Sequence, residues 1–168
     1  LWTEYSLETA TVKAQRPIGR TAESSFRYDY NGNSHVITNV TVTGNLDYMG
    51  LFGCNQGTLR NIVLAKDVAV GEEAPTIRIS ASLRTAYLGA LAGRNEGVIT
   101  NCAVSGYQLR VQAYRASTMY VGGLVGYNSG RIRSCGADFP LIYGATTYAT
   151  VYIGGFAGGG TGQVRQSY

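Results

Sequence analysis

The chain has 168 residues, enough for one domain with a core of its own. Hydrophobic residues make up 45% of it, which excludes a disordered tail, while charged residues are only 14%, so Ser, Thr, Asn, Gln, Tyr and Gly must supply most of the surface. The net charge of +4 rests on scattered Arg rather than a basic stripe, which argues against nucleic-acid binding, and no apolar run is long enough for a membrane span.

The chain starts at Leu1, as expected of a mature product or an excised segment. Residues 1–16 contain "YSLETATVK", whose alternation predicts a strand, either capping the fold or exchanged into a neighbouring subunit. Next, "HVITNVTV" resembles a weak first copy of a repeat, with Ile37, Asn39 and Val40 expected on the columns of Leu59, Asn61 and Ile62. Four stronger copies then align: "YMGLFGCNQGTLRNIVL" from Tyr48, "LGALAGRNEGVITNCAV" from Leu88, "VGGLVGYNSGRIRSCGA" from Val121 and "IGGFAGGGTGQVRQSY" from Ile153. Their first shared glycines, Gly53, Gly93, Gly126 and Gly158, are spaced by 40, 33 and 32 residues. Such a period marks a stacked array.

Between the glycine motifs, "TIRISASL" and "QLRVQAY" alternate like half-buried strands, and Pro17, Pro75 and Pro140 fall in connections. The prediction is an all-β, single-stranded β-solenoid of about four to five coils over residues 17–168, divided near 28–47, 48–87, 88–120, 121–152 and 153–168. The short step from Ile37 to Leu59 favours a narrow coil with loops, and "GEEAP" (71–75) is the expected excursion of the longest repeat.

Stacking places equivalent residues in columns. Leu51, Leu91, Leu124 and Phe156, then Leu59, Ile99, Ile132 and Val164, then Tyr48, Leu88, Val121 and Ile153 are expected to fill the interior. The glycines, including the second set Gly57, Gly97, Gly130 and Gly162, are expected at corners, where the backbone takes positive φ or approaches a neighbour closely. Asn55, Asn95 and Asn128 lie between them and suit either turns or a stacked amide ladder. Cys102 and Cys135 share a column with Ile62 and are expected as buried thiols, with a disulfide between the stacked pair as the alternative, while Cys54 shares a column with Arg94 and Tyr127 and is expected to face solvent.

Two outward columns are candidate binding sites. Arg60, Arg133 and Arg165, interrupted by Thr100, suit sulfate, sialate or carboxylate groups, or simply form a solvated face. Tyr87, Tyr120 and Tyr152, with Asp47 as the expected first member, suit sugar rings or a stabilising stack.

The motifs "GLFG", "GALAG", "GGLVG" and "GGFAG", each followed by a second glycine, resemble the Glug motif. The upstream "PIGRTAESSFRYDYNGNSHVITNVTV" (17–42) is similar to the segment that precedes Glug repeats, with Tyr28 and Ser34 in place of two of its glycines. The resemblance implies a β-solenoid in secreted or cell-surface bacterial proteins: adhesins of the filamentous-haemagglutinin kind, gut-bacterial surface proteins and non-catalytic regions of immunoglobulin A metallopeptidases. It implies no catalytic residues. The single histidine, His35, and the absence of any repeating carboxylate column likewise point away from an enzyme, a metal site or a cofactor. The expected role is a non-catalytic adhesion or structural module whose partners are other subunits or cell-surface glycans. Two alternatives are a head-to-tail homopolymer and a carbohydrate-binding region of a secreted enzyme.

Overall fold

The computed structural model describes residues 16–38, 40–44, 46–66, 76–81, 85–113, 118–138, 141–146 and 149–168. Short apolar runs punctuated by Gly and Asn form short strands, five to a coil. The front coil carries β1 (Asp29–Asn31), β2 (Val36–Thr38) and β3 (Val42–Gly44). The second carries β4 (Tyr48–Met49), β5 (Phe52–Asn55), β6 (Thr58–Arg60), β7 (Val63–Ala65) and β8 (Thr76–Ala81). The third repeats this as β9 (Thr85–Gly89), β10 (Ala92–Asn95), β11 (Val98–Thr100), β12 (Ala103–Ser105) and β13 (Gln108–Ala113). The fourth has β14 (Thr118–Gly122), β15 (Val125–Asn128), β16 (Arg131–Arg133), β17 (Gly136–Asp138) and β18 (Leu141–Thr146), and the last has β19 (Thr150–Gly154), β20 (Ala157–Gly160) and β21 (Gln163–Arg165).

Each strand pairs in parallel with the strand five places on, giving five sheets that run along one axis. This is an all-β solenoid. In the front coil Ile18 and Phe26 take the place of a strand, bridging Phe52 and Asn55.

The pairing register corrects three expectations. Ile37 lies on Leu64 and Tyr30 lies on Leu59, so the apparent short step is a misalignment and the coil is wide and five-sided. Asn39, expected on the Asn61 column, falls outside the described residues. Tyr48 lies on Tyr87, and Met49 lies on Leu88. The second coil has one residue fewer between Gly50 and Phe52 than the third has between Gly89 and Ala92, which displaces the repeat alignment by one. The extra length of the second coil falls between Ala65 and Thr76, which lie on Ser105 and Gln108. GEEAP (71–75) belongs to that interval but lies outside the described residues, as does YSLETATVK.

The core runs along the axis through Met49, Leu88 and Val121, through Leu59, Ile99 and Ile132, and through Leu91 and Leu124. Each fully buried side chain of this size contributes about 1.5 to 3 kcal/mol. Tyr107 is also fully buried, and its Oη accepts a hydrogen bond from Val40 N at 3.3 Å, closing the front coil onto the third. Along the last coil the same columns are open: Ile153 is 52% and Val164 46% exposed.

The shared glycines act through close approach rather than through positive φ. The left-handed corner belongs instead to Asn61 (φ 54°), Asn101 (φ 53°), Ser134 (φ 53°) and Gln166 (φ 51°). Gly53, Gly93, Gly126 and Gly158 lie inside strands rather than at corners. A Cβ on Gly93 would stand 2.7 Å from Met49 N and 2.9 Å from Gly53 O, both backbone atoms. Gly57, Gly97, Gly130 and Gly162 do sit at the corner after that strand, where a Cβ on Gly97 would stand 2.7 Å from the Gln56 carbonyl carbon of the coil beneath.

Candidate functional site

The interior of the coil holds a buried amide ladder. Asn55 Nδ2 donates to Asn95 Oδ1 at 2.8 Å, and Asn95 Nδ2 donates to Asn128 Oδ1 at 2.8 Å. The same amides bond to their own turns, with Asn55 Nδ2 donating to Gly57 O at 3.3 Å and Gly57 N donating to Asn55 Oδ1 at 3.2 Å. These asparagines are therefore turn residues and ladder rungs at once. All three are buried, and Gly160 occupies the column in the last coil, where Asn128 Nδ2 turns to Gln163 O instead.

A second ladder, not expected from the sequence, joins the left-handed corner residues Asn61 and Asn101 to Asn31 of β1. Asn101 Nδ2 donates to Asn61 Oδ1 at 2.7 Å, and Asn61 Nδ2 donates to Asn31 Oδ1 at 2.9 Å. Asn tolerates left-handed φ, so one residue type serves the corner and the ladder. The signal for it is Asn61 and Asn101 at equivalent places of two repeats.

The tyrosine column is one member longer than expected. Tyr48, Tyr87, Tyr120 and Tyr152 stack with ring centroids 5.3, 5.5 and 5.0 Å apart and planes within 11° of parallel. Asp47, the expected first member, precedes the stack. Tyr127 meets Tyr87 and Tyr120 edge-on, and the Arg94 guanidinium lies 5.7 Å from the Tyr87 ring centre and 5.9 Å from that of Tyr127. Arg94 Nε stands 2.9 Å from Glu96 Oε1 in an ion pair whose N–H is not aligned on that oxygen. Ring faces inside the stack are occupied by neighbouring rings, so Tyr87 and Tyr120 offer no free face to a ligand. Burial raises the Tyr48 and Tyr87 phenols above their ordinary range.

Arg60, Thr100, Arg133 and Arg165 share one column, as the repeat spacing predicts. They are not equivalent. Arg60 is clamped by Asp29 through Nε–Oδ1 and Nη2–Oδ2, both at 3.0 Å, which lowers the Asp29 pKa. Arg133 and Arg165 are exposed, as is Arg131 on the same outer face, and none of the three has a carboxylate partner among the described residues.

Cys102 and Cys135 are buried free thiols stacked in register, with Cys102 N donating to Cys135 Sγ at 3.4 Å. The hydrogen bond shared with Cys135, and then burial, keep the Cys102 thiol protonated. Cys54 corrects its expectation: it is fully buried, because the Ile18-to-Phe26 segment covers it, with Cys54 N donating to Gly19 O at 2.7 Å and Phe26 N to Cys54 O at 2.9 Å. Burial pushes its pKa up to about 11.

The repeating geometry is the arch in which β9 folds against β10, and β14 against β15, at glycine-only distance. The family model of the GLUG motif matches residues 85–111 and 117–139. These segments are Glug repeats. The first spans β9 to β12 and most of β13, the second all of β14 to β17, and the strands of the second and last coils stack on the Glug repeats in the same order. No curated protein and no solved structure matches the chain.

Proposed function

We propose that this Glug-repeat solenoid is a non-catalytic extracellular module of a bacterial surface or secreted protein, a stiff rod that presents its outer faces to binding partners. The observation that carries the reading is the alignment of every cohesive element with one axis: five parallel sheets, two amide ladders and a tyrosine stack all join coil to coil. Cross-coil bonding of this kind resists bending and leaves the outward side chains free for contact. Beads coated with the purified chain are expected to adhere to cells or to immobilised glycans. Adhesion no greater than that of uncoated beads, on every surface, would contradict the reading.

A second reading is supported by the last coil. Strands β19, β20 and β21 pair on one edge only among the described residues, and exposed Ile153 and Val164 continue core columns. A coil laid on them in register buries both, and a second copy of the chain is one source of it. Concentration-dependent sedimentation that disappears in the I153K/V164K variant supports self-assembly; a sedimentation coefficient independent of concentration contradicts it.

A further inference from the structure

We propose that the outer face of β11, β16 and β21 binds a linear polysaccharide carrying sulfate or carboxylate groups. This rests on the presenting role proposed above and names its ligand class. Three observations carry it. First, the face holds unneutralised positive charge: Arg131, Arg133 and Arg165 are exposed without a carboxylate partner among the described residues, whereas Arg60 lower in the column is held by Asp29. In a chain with so few charges, three free guanidinium groups on adjacent strands form a concentrated site for oxyanions, which the planar fork binds through two parallel hydrogen bonds.

Second, the face is not flat. Val98 and Thr100 of β11 are short where β16 carries Arg131 and Arg133, and with Gln163 and Arg165 of β21 they line a depression of about 370 Å³. Stacked strands lie about 4.8 Å apart and same-face residues about 6.7 Å apart along a strand, so the guanidinium groups are spaced on the scale of single sugar units rather than of a folded domain.

Third, the depression continues around the corner. Val98, Arg131 and Gln163 also line a second hollow of about 420 Å³, together with Gly97, Gly130, Gly162, Ser129 and Thr161. Glu96 also lines it, with its carboxylate engaged by Arg94 and Gln56. Together the two hollows set the guanidinium groups beside hydroxyls, a side-chain amide and the apolar wall of Val98, Ile99 and Ile132, a mixture that matches sugar rings carrying hydroxyls and periodic anions.

The test uses the full chain against immobilised dextran sulfate, neutral dextran and poly-glutamate in physiological salt. Dextran sulfate is expected to bind, neutral dextran not to bind, and poly-glutamate to bind at least tenfold more weakly than dextran sulfate. The R131Q/R133Q/R165Q variant is expected to lose at least tenfold in dextran sulfate affinity at an unchanged thermal midpoint, and R110Q, on another face, to bind like wild type. Equal binding by the triple variant, or binding of poly-glutamate as tight as that of dextran sulfate, overturns the proposal. If the wild type ignores dextran sulfate yet coated beads still adhere to cells, this inference fails and the presenting role stands. If beads adhere to nothing as well, both fail.

Discussion

The two asparagine ladders have the same chemistry and opposite surroundings. Each joins three coils by amide-to-amide bonds of 2.7 to 2.9 Å, but Asn55, Asn95 and Asn128 are buried while Asn31 and Asn101 face solvent. In the interior, both hydrogens of the Asn95 amide are engaged, by Asn128 Oδ1 and Gly97 O, and water offers no substitute. At the corner, water replaces a lost bond at little cost, and the residue is selected as much by its left-handed φ as by its amide. Equal hydrogen-bond lengths therefore hide unequal contributions to stability.

The largest expected effect comes from removing the space that lets the buried ladder form. Gly93→Ala drives a Cβ into the backbone of the second coil and moves β10, which carries Asn95, so urea unfolding should show a loss of about 4 kcal/mol. Asn95→Ala leaves the strand in place but strands the Asn55 amide and the Asn128 carbonyl in a dry interior, with an expected loss of about 3 kcal/mol in the same measurement. Asn101→Ala should cost only about 1 kcal/mol, chiefly because Ala resists left-handed φ. Asn101→Gly should recover part of that loss, although it removes the amide altogether.

A smaller effect distinguishes buried from exposed by pH. The Cys54 thiol is raised from 9.0 to about 11 in the fold, so between those values the unfolded chain releases its proton first. Stability from this group is full below pH 9 and is lost as pH rises toward 11. The difference in unfolding free energy between wild type and Cys54→Ala should shift by about 2 kcal/mol over that interval, and a constant difference would contradict the burial.

Sequence periodicity is enough for the solenoid, the Leu59 and Leu91 columns, the Arg column and the buried Cys102 and Cys135, because glycines at fixed offsets set the alignment. Where an offset changes, the alignment slips. One residue fewer after Gly50 hides Tyr48 from the tyrosine stack and Met49 from the core. The front coil lacks the glycine motif, so Ile37 aligns with Leu59 by pattern when its partner in space is Leu64. Cys54 is illegible for a different reason: its column faces outward in the coils that follow it, and only the tertiary course of 18–26 covers it. The unequal partners of Arg60 and Arg133 depend on Asp29, which no repeat pattern reveals. The ladders are half legible, since Asn suits a turn and a stack equally well until the register is known.

The most direct measurement is hydrogen exchange of the asparagine side-chain amides by NMR. The Asn95 Nδ2 protons are expected to exchange only on global opening of the fold, while those of Asn101 exchange orders of magnitude faster. Equal rates at the two sites, or rapid exchange at Asn95, would contradict a buried ladder as the axis of this solenoid.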